Sequence, residues 1–128
     1  AEMQLARMSE QAVTNESLTL MVQVPDRVSA GEAVFVQFCV ACHRTDGSGD
    51  VGPNLTDAYW LHGSEPMDIH RTIVEGVPEK GMVAWLNQLG PRRIQDVTAY
   101  ILTAMKDKDL PGKAPQGVNA AGEEAPQG

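Results

Sequence analysis

The chain has 128 residues, an ordinary hydrophobic content of 42% and a formal net charge of −7. This length suits one compact domain. The negative charge argues against a nucleic-acid partner, because phosphate binding requires clustered Lys and Arg. No apolar run approaches the roughly 20 residues that a membrane-spanning helix needs.

Residues 1–28 are expected to form an N-terminal extension that packs on the domain. Its first half carries Leu5, Met8 and Ala12 at helical spacing. In its second half apolar and other residues alternate up to Pro25, which is typical of a half-buried strand. The extension is therefore predicted to contain a helix and then a strand. The apolar face of the strand consists of Leu18, Leu20, Val22 and Val24.

The first helix of the domain is marked by Ser29 and Glu32, which fit a capping box. The stretch AGEAVFVQFCVACH follows without a helix breaker, so we expect a helix that begins at Ser29 and ends near the histidine of this stretch. The next residues, RTDGSGDVGPNL, are rich in Gly, Asp and Pro and are predicted to form a loop.

Two further helices are predicted in the second half of the chain. The segment PMDIHRTIVEG is typical of a short helix that Gly76 ends, with Ile69 and Ile73 on one face. The segment VPEKGMVAWLNQLG is expected to be mostly loop. PRRIQDVTAYILTAM then opens with Pro91 at a favourable first-turn position. The apolar stripe of this last helix consists of Ile94, Val97 and Ile101.

The end of the chain differs in composition from the rest. After Lys106 it is rich in Gly and Pro and has almost no large apolar residue, so it cannot bury enough surface to order itself. We therefore expect an α-helical domain over residues 29–106 and a flexible tail over 107–128.

The segment CVACH, residues 39–43, holds both cysteines of the chain and one of its three histidines. A zinc site usually needs four ligands, and neither His62 nor His70 is spaced as part of a partner pair. A thioredoxin-like dithiol normally follows a strand, whereas this motif ends a predicted helix. A disulfide between the two cysteines leaves the adjacent histidine unexplained.

The same five residues are the signature for covalent attachment of a c-type haem, and this interpretation uses all the reactive side chains. Cys39 and Cys42 would form thioethers with two vinyl groups on one edge of the porphyrin. His43 would present an imidazole nitrogen to the iron. The pattern also occurs by chance in unrelated proteins, so the sequence motif alone leaves the four interpretations open.

A second segment, GPNL, extends the pattern, since its Pro53 follows His43 by ten residues. With this segment the sequence resembles the class I cytochrome c family, whose haem-binding loop carries such residues. Gly31 and Phe35 lie where the N-terminal helix of that family places a glycine and an aromatic residue. Tyr100 matches the aromatic residue of its C-terminal helix at the crossing of the two helices.

The resemblance covers roughly residues 29–106. In YWLHGSEPMDIHRTIVEGVPEKGMVAW the sequence is most like bacterial cytochrome c domains of haem-copper oxygen reductases and their soluble electron-donor relatives. It implies an all-α cytochrome c fold of about four to five helices around one covalently attached haem c, to which the N-terminal helix/strand extension is added.

The resemblance also implies roles for individual residues. The carbonyl of Pro53 would accept a hydrogen bond from the second ring nitrogen of His43. Met82, which follows Gly81 in a loop, would be the sixth iron ligand. The other candidates for this position are Met3, Met8, Met21, Met67, Met105, His62 and His70. Contacts with the haem are expected from Tyr59, Trp60, Arg71 and Trp85.

A His–Met haem that is six-coordinate in both oxidation states suits a single-electron carrier, and no catalytic residue is expected. The resemblance implies a monomeric carrier between membrane-bound respiratory complexes, with a terminal oxygen reductase as acceptor. The alternative is a domain cut from a larger oxidoreductase subunit. A haem sensor would require that Met82 not bind iron. Haem attachment by this motif implies the bacterial periplasm, either free or held at the membrane by a removed anchor or a partner.

Overall fold

The computed structural model of the protein describes residues 13–126. These residues contain isolated β-bridges but no strand, which confirms the all-α prediction. Their helices are α1 (Asn15–Met21), α2 (Pro25–Phe38), α3 (Val40–His43), α4 (Pro66–Glu75), a short 3-10 helix (Pro78–Lys80) and α5 (Leu86–Ala104).

Helices α2 and α5 cross in direct backbone contact at Gly31. A Cβ atom built on Gly31 would lie 1.9 Å from the carbonyl oxygen of Asp96 and 2.9 Å from Cβ of Tyr100. Next to this point the rings of Phe35 and Tyr100 are in contact, with centroids 5.6 Å apart. The close crossing and the aromatic residue expected at it are both confirmed, and only glycine fits at this position.

Helix α2 begins one turn earlier than the sequence predicted. Pro25 occupies its first turn, where the fixed φ of proline suits a helix and its missing N–H costs nothing. The capping box assigned to Ser29 and Glu32 is therefore wrong, because both residues lie inside the helix. The additional turn carries Arg27, whose guanidinium pairs with the buried carboxylate of Asp96 on α5.

The strand predicted in the N-terminal extension is also wrong, because residues 15–21 form helix α1. The reason is local: the Thr14 hydroxyl accepts from the Ser17 amide at 3.0 Å and the Ser17 hydroxyl accepts from the Thr14 amide at 2.8 Å. This capping box starts a helix, and a helix buries one face. Leu18 is fully buried, whereas Leu20 is 57% exposed and Val24 is also exposed. The helix predicted at residues 5–12 lies outside the described residues.

Helix α1 connects two other helices, because it packs against both α4 and α5. Asn15 makes the polar part of this contact at the start of α4. Its amide nitrogen donates to Glu65 Oε2 at 2.7 Å, and its amide oxygen accepts from the backbone N–H of Met67 at 2.8 Å. One of the free N–H groups at the start of α4 is thereby satisfied.

The main hydrophobic core lies between α2, α4 and α5. Within α5 the regular helix starts after Gly90, whose φ of 77° breaks the helix directly before Pro91. This agrees with the prediction that Pro91 opens the last helix. None of the helices in residues 13–126 has the length and apolar character needed to cross a membrane. The buried apolar residues of this core are Val34, Phe35, Ile69, Ile73, Leu89, Ile94, Val97, Ile101 and Met105.

Residues 107–126 make backbone contacts with the helical domain, although composition predicted a flexible tail. The N–H of Asp109 donates to Thr56 at 2.7 Å, and Trp60 and Val118 exchange two backbone hydrogen bonds. The segment does not need to bury apolar side chains to make these contacts, because backbone groups form them. The boundaries at residues 28/29 and 106/107 stay predictions.

Leu18→Ala tests whether α1 is part of the folded domain. We expect the free energy of unfolding to fall by about 2–5 kcal/mol, because the substitution leaves a cavity under a fully buried side chain. Leu20→Ala, on the same helix, is the matched control and should change it by no more than about 0.5 kcal/mol. Urea unfolding followed by circular dichroism measures both values. Equal effects of the two substitutions would show that α1 does not dock through Leu18.

Candidate functional site

The imidazole of His43 is oriented by a single hydrogen bond. His43 ends the short helix α3, and its Nδ1 lies 2.9 Å from the carbonyl oxygen of Pro53. A carbonyl can only accept, so Nδ1 carries the proton and Nε2 presents a lone pair. Burial lowers the pKa of His43, the hydrogen bond to Pro53 raises it in part, and the Lys113 ammonium lowers it further. The balance favours the neutral ring that a metal requires of a histidine ligand.

The loop that carries Pro53 wraps closely around this ring. The N–H of Gly52 donates to the carbonyl of Cys42 at 2.7 Å, and the N–H of Gly49 donates to the carbonyl of His43 at 3.0 Å. A Cβ atom built on Gly52 would lie 2.5 Å from Cε1 of the imidazole. A larger residue at this position would displace the ring, so Gly52 and Pro53 together fix its position.

Cys39 and Cys42 lie on one turn with His43 and are free thiols. Cys39 is at the junction of α2 and α3, and its carbonyl accepts from the N–H groups of Cys42 at 3.2 Å and His43 at 3.1 Å. Cys39 packs against the hydrophobic core, and this burial together with the neighbouring Cys42 raises its pKa to about 11. The two thiols therefore differ in surroundings, with Cys42 on the exposed side.

Met82 lies in a loop that is held at both ends. Val77 and Met82 exchange two backbone hydrogen bonds, of 2.9 and 3.1 Å, and Gly81 between them adopts a left-handed φ of 90°. The N–H of Trp85 donates to the carbonyl of Ile73 on α4 at 3.0 Å. The Met82 side chain is half-buried against the hydrophobic core, against which Cys39 also packs.

The other candidates for the sixth ligand are placed differently. Met105 is buried, and its sulfur packs against Gly47, where a built Cβ would lie 2.5 Å away. Met67 and His70 lie on α4, and His62 is exposed in the loop before it. Met21 ends α1, while Met3 and Met8 lie outside the described residues.

The four expected haem contacts fall into two groups. Trp60 and Trp85 pack against the hydrophobic core, where the ring of Trp85 meets Phe38 edge-on at a centroid distance of 5.5 Å. Tyr59 is half-buried next to Trp60. Arg71 is exposed, and its guanidinium pairs with Asp68 one turn earlier on α4 at 2.8 Å. The structure thus brings the two tryptophans to the core but places Arg71 on the surface.

The residues present fit a covalently bound haem. Two free thiols and a neutral imidazole with an available Nε2 stand on one turn, and a methionine lies in a separately fixed loop. Among residues 13–126, no three His, Cys, Asp or Glu side chains lie together in a way that could hold a metal ion. Such a donor set suits an iron whose equatorial ligands come from a porphyrin better than it suits a zinc ion.

Sequence reasoning missed the roles of two residues that support the Pro53 loop, although one of them, Asn54, lies in the GPNL segment. Asn54 is buried, and all of its side-chain hydrogen bonds stay within residues 54–56 and the C-terminal segment. Lys113 donates from Nζ to the carbonyl of Val51 at 3.0 Å. Both contacts depend on a segment whose composition predicted no order, which is why they were missed.

Comparison with known proteins places this geometry in a family. Residues 26–101 match the family model described as cytochrome C oxidase, cbb3-type, subunit III. The chain is 40% identical over 74 residues to the cbb3-type cytochrome c oxidase subunit FixP of Bradyrhizobium diazoefficiens, which covers 56% of this chain and 25% of the relative. It is 34% identical over 109 residues to subunit CcoP of Rhodobacter capsulatus, which covers 73% of this chain and 37% of the relative.

A solved structure shares the fold. Cytochrome CL from the marine methylotrophic bacterium Methylophaga aminisulfidivorans superposes with a TM-score of 0.56 and 26% sequence identity. The match covers 64% of this chain and 57% of that chain. Against the two oxidase subunits, the chain spans 25% and 37% of their length.

Proposed function

The chain belongs to the cytochrome c family of cbb3-type oxidase subunit III, and from this premise we propose that it is a single-electron carrier that delivers electrons to a terminal oxygen reductase. The observation that carries the proposal is the hydrogen bond from His43 Nδ1 to Pro53, which leaves Nε2 available next to two free thiols. The carrier is not an enzyme by itself, and the oxygen chemistry belongs to its partner.

The residues that hold the cofactor follow from the site. Cys39 and Cys42 would form the two thioethers to one haem c, and His43 would be the axial ligand on its side. Bound there, the haem supplies a reversible one-electron change between ferric and ferrous iron. Gly52 and Pro53 keep the imidazole in one orientation.

Met82 is proposed as the sixth ligand. Its loop is fixed to α4 by the hydrogen bond from Trp85 to Ile73 and is closed by the pairing of Val77 with Met82, which favours one position of the side chain in both oxidation states. A thioether is soft and neutral, which favours ferrous iron and raises the reduction potential relative to two histidines. These are the properties of an electron carrier, whereas a haem sensor would need an open sixth position.

The alternative is that this is one domain of a larger oxidase subunit. The partial coverage of FixP and CcoP supports it, because both are oxidase subunits several times longer than the matched region. Both versions share the same electron-transfer chemistry, with a haem-copper oxygen reductase as partner and the bacterial periplasm as location. We propose a monomeric unit with the domain over residues 29–106.

A pyridine haemochrome spectrum tests the cofactor. We expect the absorption band of the haemochrome at the position typical of a haem with two thioether bonds. We also expect the haem to stay with the protein in acidified acetone. Cys39→Ser and Cys42→Ser should each remove one thioether and move the band. Ser17→Ala, far from the motif in sequence, is the control and should leave it unchanged. A chain that gives no haemochrome after coexpression with the attachment machinery would refute the proposed function.

Met82→Ala is expected to leave haem attached and to open the sixth position. The ferric wild type should show the weak charge-transfer band in the red that marks a thioether–iron bond, and the variant should lose it. The ferrous variant should also bind carbon monoxide much faster. Met67→Ala, on α4, is the matched control and should keep the band. The reverse pattern for the two substitutions would show that Met67 is the ligand.

The surface next to Met82 favours an apolar mode of docking to the oxidase. Residues 82–86 carry no charge, and Val83 and Leu86 are 47% and 43% exposed. Residues 28–105 hold five Lys or Arg against nine Asp or Glu, so a lysine-ringed face is not expected. The members of this apolar patch are Met82, Val83, Ala84, Trp85 and Leu86.

Turnover with the oxidase should therefore depend only weakly on ionic strength, because few charge pairs are present to be screened. Val83→Ser should raise the KM, and Val36→Ser, at an exposed valine of α2 outside the patch, should not. The measurement is oxygen consumption between about 10 and 150 mM salt, over which the Debye length falls from roughly 30 to 8 Å. A steep fall in rate with salt would show that electrostatic steering dominates.

A further inference from the structure

The C-terminal strap, residues 109–118, lies across the loop that follows His43. Gly112 is in such close contact with this loop that a Cβ atom on it would lie 2.2 Å from the carbonyl oxygen of Ser48. The N–H of Lys113 donates to the same carbonyl at 2.9 Å. The strap lies beyond residue 101, where the family match ends.

Asn54 joins the strap to the residue that orients His43. Its amide nitrogen donates to the carbonyls of Leu110 at 3.1 Å and Lys113 at 3.3 Å. Its amide oxygen accepts from the N–H of Thr56 at 2.9 Å and from the Thr56 hydroxyl at 2.7 Å. Asn54 is 6% exposed and directly follows Pro53. The strap thus restrains the peptide whose carbonyl receives the His43 hydrogen bond.

The strap also carries a positive charge to the imidazole side of the site. Lys113 Nζ donates to the carbonyl of Val51 at 3.0 Å, and the next residue, Gly52, packs against the His43 ring. The Lys113 ammonium is therefore held one residue away from the glycine that contacts the His43 ring.

We propose that the C-terminal strap is a positioning element of the haem site, which holds the Pro53 carbonyl against His43 and uses Lys113 to raise the reduction potential. The inference rests on the proposed function, because it requires His43 to be an iron ligand. Reduction adds one negative charge to the site, and a fixed cation nearby favours the state with that electron.

Lys113→Gln in the full holoprotein tests the charge. The ferric-to-ferrous ratio at a fixed ambient potential should rise about two- to fivefold, the range expected for one partly solvated charge near the iron. Lys113→Arg keeps the charge and should restore the wild-type ratio. Lys108→Gln removes the same charge from an exposed position in the same region and is the matched control. Spectroelectrochemical titration at low and high salt measures the ratios.

The strap itself is tested in the full holoprotein by Gly112→Val, whose side chain would collide with the backbone of the loop that follows His43. We expect the change in ratio seen for Lys113→Gln, together with a shift of the proton resonances of the His43 ring as the Pro53 loop loosens. Unchanged ratios in both variants would overturn the inference, as would an equal effect of Lys108→Gln, which would indicate net charge alone. A wild type without covalent haem would overturn the proposed function as well. A wild type with a normal haemochrome and an unaffected Lys113→Gln would overturn the inference alone.

Discussion

The crossing of α2 and α5 at Gly31 is the contact on which the rest of the structure depends. Because α2 runs directly into Cys39 and α3, the position of α2 on α5 determines where both thiols and His43 lie. Backbone-to-backbone contact leaves no freedom to slide, and the ion pair between Arg27 and Asp96 holds the helices in the same register. His43, the proposed iron ligand, is thus placed by packing that lies several helical turns away from it.

The motif and its loop could be predicted because their chemistry requires particular residues close together in sequence. CVACH supplies two thiols and an imidazole on one turn, and GPNL supplies the carbonyl that orients the ring. Pro91 also predicted the start of the last helix correctly, because proline favours the first turn of a helix for local reasons. These features depend on contacts within a few residues or on a spacing that the porphyrin itself sets.

Other features could not be predicted because distant contacts decide them. The alternation around Leu18 suits a strand as well as it suits a helix with one buried residue, and the Thr14–Ser17 cap decided the outcome. The C-terminal strap has too few apolar residues to predict order, yet its backbone groups form hydrogen bonds with Ser48, Thr56 and Trp60. Composition indicates how much apolar side-chain surface a segment can bury, but it does not predict backbone hydrogen bonds of this kind.

The two ends of the described chain contact different parts of the site. Asn15 holds the start of α4, whose other end carries the Met82 loop, while the strap holds the loop that carries Pro53. A force applied at either end would therefore act on the loop of a different proposed iron ligand, Met82 at one end and His43 at the other.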